Sequence, residues 1–194
     1  EPPVLDGDAL CFLLLLDQAG AADQGVPREY IKVLKPVTVE QGGAYAALLP
    51  ADALSYDCRI DFAAAAIGRQ HYDFAFSPEG FRTEIAPART FGFVRELEQL
   101  HALNLGKGAS LENTLALDDT GVINKDRMRF ADEFVRHKIL DAIGDMALAG
   151  APLIGRFQGR KSGHTLNNAL LRALFSSSAH YEKTSFPEAP LVML

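Results

Sequence analysis

The sequence predicts an α+β fold in which an antiparallel sheet packs against two long helices. Three observations carry this. Residues 30–60 run through short alternating or β-branched stretches broken by Gly and Pro, the signature of strands and tight turns. Residues 132–148 begin acidic, carry Phe134, Ile139, Ile143 and Met146, and stop at Gly150 and Pro152, as a long helix does. A second helical pattern follows a small-residue turn and runs to residue 174. The 194 residues are 48% hydrophobic and 23% charged, which excludes disorder, collagen-like and coiled-coil chains.

Taken in order, Asp6-Gly7-Asp8 can cap a helix over residues 9–18 that ends at Gly20. Residues 10–16 are apolar on every face, and such a helix has to be covered by other elements. That cover is expected upstream of Glu1, and without it residues 10–16 should expose an apolar patch. Residues 20–28, with Gly20, Gly25 and Pro27, read as a linker. Strands are expected at Tyr30-Ile31-Lys32-Val33, Pro36-Val37-Thr38-Val39, 45–49, 56–62 and 72–76, with a turn at Gly42-Gly43. Ser77-Pro78-Glu79 starts a short helix to 85, a strand covers 89–93, and a helix covers 94–103. Asp118-Asp119-Thr120-Gly121, between 114–117 and Val122-Ile123, is a hairpin signal. A strand at 154–158 precedes the last helix, which starts at Ser162 or Thr165.

A net charge of −6 argues against a non-specific nucleic-acid binder but allows a local basic phosphate site. The two cysteines, Cys11 and Cys58, form neither a disulfide framework nor a CxxC metal spacing, which fits a reducing, cytoplasmic compartment. The longest apolar run, residues 10–16, is far short of the ~20 residues a membrane span needs. No basic signal-peptide start is visible. Gly106-Lys107-Gly108 lacks the rest of a P-loop, and GxSxG does not occur.

The densest polar cluster is Phe134-Val135-Arg136-His137-Lys138-Ile139-Leu140-Asp141-Ala142-Ile143-Gly144-Asp145. His137, Asp141 and Asp145 recur every fourth residue and form one row on a helix. A His and an Asp one turn apart can share a cation such as zinc, and equally can be a solvated face of i,i+4 pairs. Two ligands leave both readings open. In Arg160-Lys161-Ser162-Gly163-His164, a small-residue turn opens a helix whose free N–H groups, with Lys161, could hold a phosphate. His164 could exchange protons near neutral pH. The alternative there is a basic loop with a capping Ser.

Three ordered segments together resemble one family. They are Ala88-Arg89-Thr90-Phe91-Gly92-Phe93, the run from Asp132-Glu133 through Asp145, and Lys161-Ser162-Gly163-His164-Thr165-Leu166-Asn167-Asn168. The family is the zinc-dependent UDP-3-O-acyl-N-acetylglucosamine deacetylase of bacterial lipid A synthesis. Glu1-Pro2-Pro3-Val4-Leu5-Asp6-Gly7 also resembles its stretch near the end of the first domain. The resemblance implies two similar α+β domains with their helices between outer sheets. Residues 1–22 would be the remnant of the first, and 27–186 a two-layer second domain. Residues 94–123 would be a βαββ-type insert, with Val94, Leu97, Leu103 and Leu111 lining an acyl-chain passage and Phe91 and Phe93 on the substrate side.

It further implies His137 and Asp141 as Zn2+ ligands. Lys138 would lie near the anionic intermediate, Asp145 would orient His164 as the acid, and Thr90 would polarise the scissile carbonyl. Asp61 and Phe62 would bind uridine, with Phe62 stacked on the base, and Lys161 would meet the diphosphate. The partner is then UDP-3-O-acyl-GlcNAc, with at most peripheral membrane contact. In the family a His-Glu-His stretch of the first domain supplies the third ligand and the Glu base. This sequence has no equivalent, so weak or no turnover is expected of these residues alone. The other reading is a non-catalytic nucleotide-sugar or lipid-binding module on the same fold.

Overall fold

The computed structural model describes residues 3–185; the resemblance at Glu1 and Pro2 and the domain end at 186 lie outside them. The fold is α+β, with five α-helices and ten strands among these residues. Strands β2 (Val37–Gln41), β3 (Ala44–Leu49), β4 (Ser55–Asp61), β5 (Arg69–Ala75) and β9 (Arg156–Arg160) form the main sheet in the order β2-β3-β9-β4-β5. Strands β1 (Glu29–Val33), β8 (Leu153–Ile154) and β10 (Tyr181–Ser185) form a second sheet in the order β10-β1-β8.

The main sheet is mixed, which corrects the expectation of an antiparallel one. β9 runs antiparallel to β3 but parallel to β4. A parallel neighbour needs a long crossover. The chain between β4 and β9, which includes α4 (Glu133–Ala147), provides it. Alternation within a segment reveals a strand but not the direction of its partner. The predicted strand 154–158 is two strands: Gly155 separates β8, in the small sheet, from β9, in the large one. A Cβ at Gly155 would lie 2.9 Å from Val33 Cγ2 and 3.0 Å from the Leu49 carbonyl oxygen, so no side chain fits at this crossing point. β10 has no signature in the sequence, because Tyr181-Glu182-Lys183-Thr184-Ser185 carries little apolar patterning.

The inner face of the main sheet packs on α4 and α5 (His164–Phe175). Tyr56, Cys58 and Ile60 of β4 and Phe157 of β9 point inward by the two-residue alternation, against Phe134, Ile139, Ala142 and Met146 of α4. Leu166, Leu170, Leu171 and Leu174 of α5 complete the core. Phe157 lies on the central strand, fully buried, with its ring 5.7 Å from that of Tyr56. Phe157→Ala is expected to cost about 3–5 kcal/mol of folding stability, read as a lower urea midpoint; a loss under ~1 kcal/mol would contradict this central packing.

Helix α1 (Leu10–Ala19) forms as expected, with Asp8 Oδ1 accepting the Leu10 N–H at 3.0 Å. Leu13 alone of its residues is buried, while Phe12, Leu14, Leu15 and Leu16 are exposed. This agrees with the apolar patch expected there. The helix predicted over 77–85 is α2 (Pro78–Gly80), capped by Ser77 Oγ, followed by a π-helical turn Phe81–Ile85. The excursion at 94–123 contains a 3₁₀ turn (Val94–Glu96), α3 (Leu97–Ala102) and β7 (Leu115–Leu117). β7 pairs in parallel with β6 (Phe91–Phe93), and the expected further strand is reduced to a single bridge, Leu117 to Val122. The 118–121 turn holds itself through Asp118 Oδ1, which accepts the N–H groups of Thr120 and Gly121. No helix among the described residues is long and apolar enough to cross a membrane.

Candidate functional site

The predicted polar row lies on α4, and its first member is held from outside the helix. His137 Nδ1 lies 3.0 Å from the Ala88 carbonyl oxygen, just before β6. A carbonyl only accepts, so Nδ1 carries the proton and Nε2 is left with its lone pair. Nε2 lies 3.6 Å from Asp141 Oδ1, one helical turn on. Burial holds the His137 imidazole below its ordinary pKa, against the pull of the Asp141 carboxylate and the Ala88 carbonyl, so the neutral ring is favoured. The other Asp141 oxygen accepts from Lys138 Nζ at 2.7 Å.

One turn further, Asp145 reaches α5. Both of its oxygens lie 3.0 Å from His164 Nδ1, and Oδ2 also accepts from Asn167 Nδ2 at 2.8 Å. The His164 side chain is 69% exposed, against 14% for Asp145, so a half-buried carboxylate holds a solvent-facing imidazole. Asn167 is only 2% exposed, and its role was not foreseen. Its position in the first turn of a helix that starts at His164 was the available signal.

The aromatic candidates also converge. The ring of Phe91 sits 4.9 Å from Phe134, 6.2 Å from His137 and 5.7 Å from Phe62, and Phe93 is 6.4 Å from Phe62. Next to Phe62, Asp61 pairs with Lys161 Nζ at 3.0 Å and with Arg69 Nε at 3.6 Å. The Lys161 contact holds the exposed Asp61 carboxyl below its usual range. Lys161 is left-handed (φ 53°), which turns the chain from β9 toward α5. Thr90 lies at the entry to β6, its N–H bonded to the Gly7 carbonyl at 2.8 Å and its own carbonyl accepting from Leu115. Val94, Leu97, Leu103 and Leu111 are exposed, spread along the excursion.

A charged network that sequence reasoning missed ties the N-terminal segment to this site. Arg89, nearly buried, donates to Asp6 and to the Arg127 carbonyl. Arg129 pairs with both Asp6 and Asp8. Its ion-pair partners are 83 to 123 residues apart in the chain and leave no local pattern to read.

Among the described residues no group of three or more His, Cys, Asp or Glu side chains gathers in metal-binding geometry. The donor set at His137 nevertheless fits zinc. It is one neutral imidazole with its free nitrogen turned toward a carboxylate, and the other ring nitrogen is fixed by a backbone carbonyl, as metal-bound histidines require.

Comparison with known proteins gives the class first: the chain is similar to proteins named as deacetylases. It is 50% identical to the UDP-3-O-acyl-N-acetylglucosamine deacetylase of Oleidesulfovibrio alaskensis over 183 residues, covering 94% of this chain and 60% of that protein. It is 46% identical to the protein of that name from Phenylobacterium zucineum over 188 residues, 97% of this chain and 64% of that one. The protein of that name from Neisseria meningitidis serogroup C (FAM18) is 42% identical over 191 residues, 97% of this chain and 62% of that one. The family model described as UDP-3-O-acyl N-acetylglycosamine deacetylase matches residues 1–176, and the chain belongs to that family. It spans about three-fifths of the length of these curated relatives.

Proposed function

We propose that this chain provides the substrate-binding side and part of the metal site of a zinc-dependent amidohydrolase. Its reaction is hydrolysis of the acetamide of UDP-3-O-acyl-N-acetylglucosamine, which releases acetate and a free 2-amino sugar during lipid A synthesis in the cytoplasm. Family membership and the names of the relatives support the substrate. The observation that carries the metal reading is the neutral His137 ring, with Nδ1 bonded to Ala88 and Nε2 facing Asp141.

His137 and Asp141 would hold the zinc. When bound, zinc supplies Lewis acidity toward the acetamide carbonyl and toward water. Lys138 keeps a cation beside Asp141, where negative charge develops on the carbonyl oxygen, and the Thr90 hydroxyl polarises the same oxygen. His164, steadied by Asp145, gives a proton to the departing amine. Phe62 stacks on the uracil, and Asp61 and Lys161 bind the uridine and the diphosphate. Phe91, Phe93, Val94, Leu97 and Leu111 meet the acyl chain. A catalytic zinc takes three protein ligands, and the described residues bring two together, so we expect low turnover from these 194 residues alone. The second reading, a nucleotide-sugar or lipid-binding module without turnover, draws on the Phe62, Asp61 and Lys161 patch, which needs no metal to bind its ligand.

The test is zinc bound per chain after dialysis against a trace of the metal, with His137→Ala as the control. The expected result is zinc bound by the parent chain and retained at least tenfold more weakly by the variant. Equal retention by both would overturn the ligand assignment. UDP binding that survives chelation, with no zinc bound by either chain, would favour the binding module.

A further inference from the structure

We propose that Glu133 is a positioning residue for His137, acting through the peptide unit that joins Ala88 to Arg89. The inference rests on the reading of His137 as a metal ligand. Glu133 is fully buried at the start of α4, one turn before His137. Its Oε1 accepts the Arg89 N–H at 2.9 Å. That N–H and the Ala88 carbonyl belong to the same planar peptide, and the carbonyl end accepts from His137 Nδ1 at 3.0 Å. A carboxylate, a peptide group and an imidazole therefore form one chain of hydrogen bonds that leaves His137 Nε2 toward Asp141.

The other two bonds of Glu133 are local. Oε2 accepts the N–H groups of Arg129 and Phe130 and closes the turn that leads into α4. Those bonds explain why an acceptor sits at this helix start. They do not explain Oε1, whose partner lies 44 residues away, in the segment before β6 that carries the Ala88 carbonyl. Both nearby arginines spend their guanidinium groups elsewhere, on Asp6, Asp8 and backbone carbonyls. The buried charge of Glu133 is thus held by backbone N–H groups, and one of them belongs to the peptide that fixes His137.

The physical effect has two parts. A negative charge on the N–H side of a peptide draws its dipole into line and makes the carbonyl oxygen a stronger acceptor, since hydrogen bonds in a chain polarise one another. The peptide plane is also pinned at both ends, so the imidazole cannot rotate without breaking a bond to a buried group. Metal-bound histidines commonly donate their second ring N–H to a carboxylate or a backbone carbonyl. Here the two devices act in series, with the peptide between them.

The test uses the 194-residue chain with Glu133→Gln and two readouts. Long-range 1H–15N correlation spectra report which ring nitrogen of His137 carries the proton, with the His164 signals as an internal control. Titration with Zn2+ reports affinity. The expected result for a folded variant is loss of the single Nδ1–H tautomer of His137, unchanged His164 signals, and zinc affinity lowered 10- to 100-fold, the range for loss of an outer-shell partner. A folded variant with the parent tautomer and an affinity within twofold would overturn the proposal. If Glu133→Gln does not fold, Glu133→Asp keeps the charge but withdraws it by one methylene, and the same readouts decide. If the parent chain binds no zinc while Glu133→Gln still shows the tautomer change, the positioning role stands and the metal reading falls.

Discussion

Replacing Gly7 with alanine is expected to cost about 3–5 kcal/mol of folding stability, well above the usual penalty for a surface glycine. Gly7 has φ +76°, a conformation that costs an L side chain about 1–2 kcal/mol. The larger part is steric. A Cβ at Gly7 would sit 1.7 Å from the Asn113 carbonyl oxygen, 2.9 Å from its carbonyl carbon and 3.3 Å from Thr90 Cγ2. The first two are backbone atoms, so no rotamer change relieves the clash. Either the segment around Asn113 or the stretch carrying Asp6 and Asp8 has to move. The Gly7 carbonyl that accepts the Thr90 N–H would move with it. Gly42→Ala is the matched control. Gly42 also has positive φ (56°), but nothing lies within 4 Å of its Cβ, so only the conformational cost of about 1 kcal/mol should appear. Urea denaturation of the two variants makes the comparison, and equal losses would show that the Gly7 contact is not tight.

The largest kinetic effect is expected at His164. If it delivers the proton to the leaving amine, His164→Ala should lower kcat by 10²- to 10⁴-fold in a preparation with measurable deacetylase turnover, while KM changes only a few-fold. The ring is mostly exposed and is held by Asp145, so its removal leaves the core intact. A melting temperature close to that of the parent would separate lost chemistry from lost structure. A kcat loss under tenfold would remove His164 from the proton transfer. A rise in KM at constant kcat would assign it to substrate binding instead.

The part of the site that repeats along one helix was legible in the sequence. His137, Asp141 and Asp145 are four apart, and helical geometry alone puts them in a row. The turn before His164 was equally plain, because Ser162 and Gly163 interrupt the strand pattern. The groups that hold those side chains were not legible. The support for His137 is a backbone carbonyl, which has no residue identity to detect. Glu133 looks like any acidic residue at a helix start, and Asn167 like any polar residue in a first turn. The fold divides in the same way. Strand locations follow from local alternation, but the place of β9 between β3 and β4 depends on partners distant in the chain. The crossing at Gly155 is marked by one glycine whose necessity appears only when Val33 and Leu49 are brought beside it.

The central place of β9 also bears on how the chain reaches its structure. β2–β3 and β4–β5 are hairpins of neighbouring residues and can form early, on the microsecond scale of local closure. Neither can join the other directly, because the strand between them starts at Arg156, about a hundred residues after β4 begins. Closing that separation carries an entropic cost before any contact repays it, so the topology places assembly of the sheet late in folding. Until then each hairpin shows an unpaired edge, β3 on one and β4 on the other. During synthesis that interval lasts until residue 160 has left the ribosome, and unpaired edges are where aggregation begins. His164 lies four residues beyond β9, so closure of the sheet and delivery of this imidazole to Asp145 belong to the same late event.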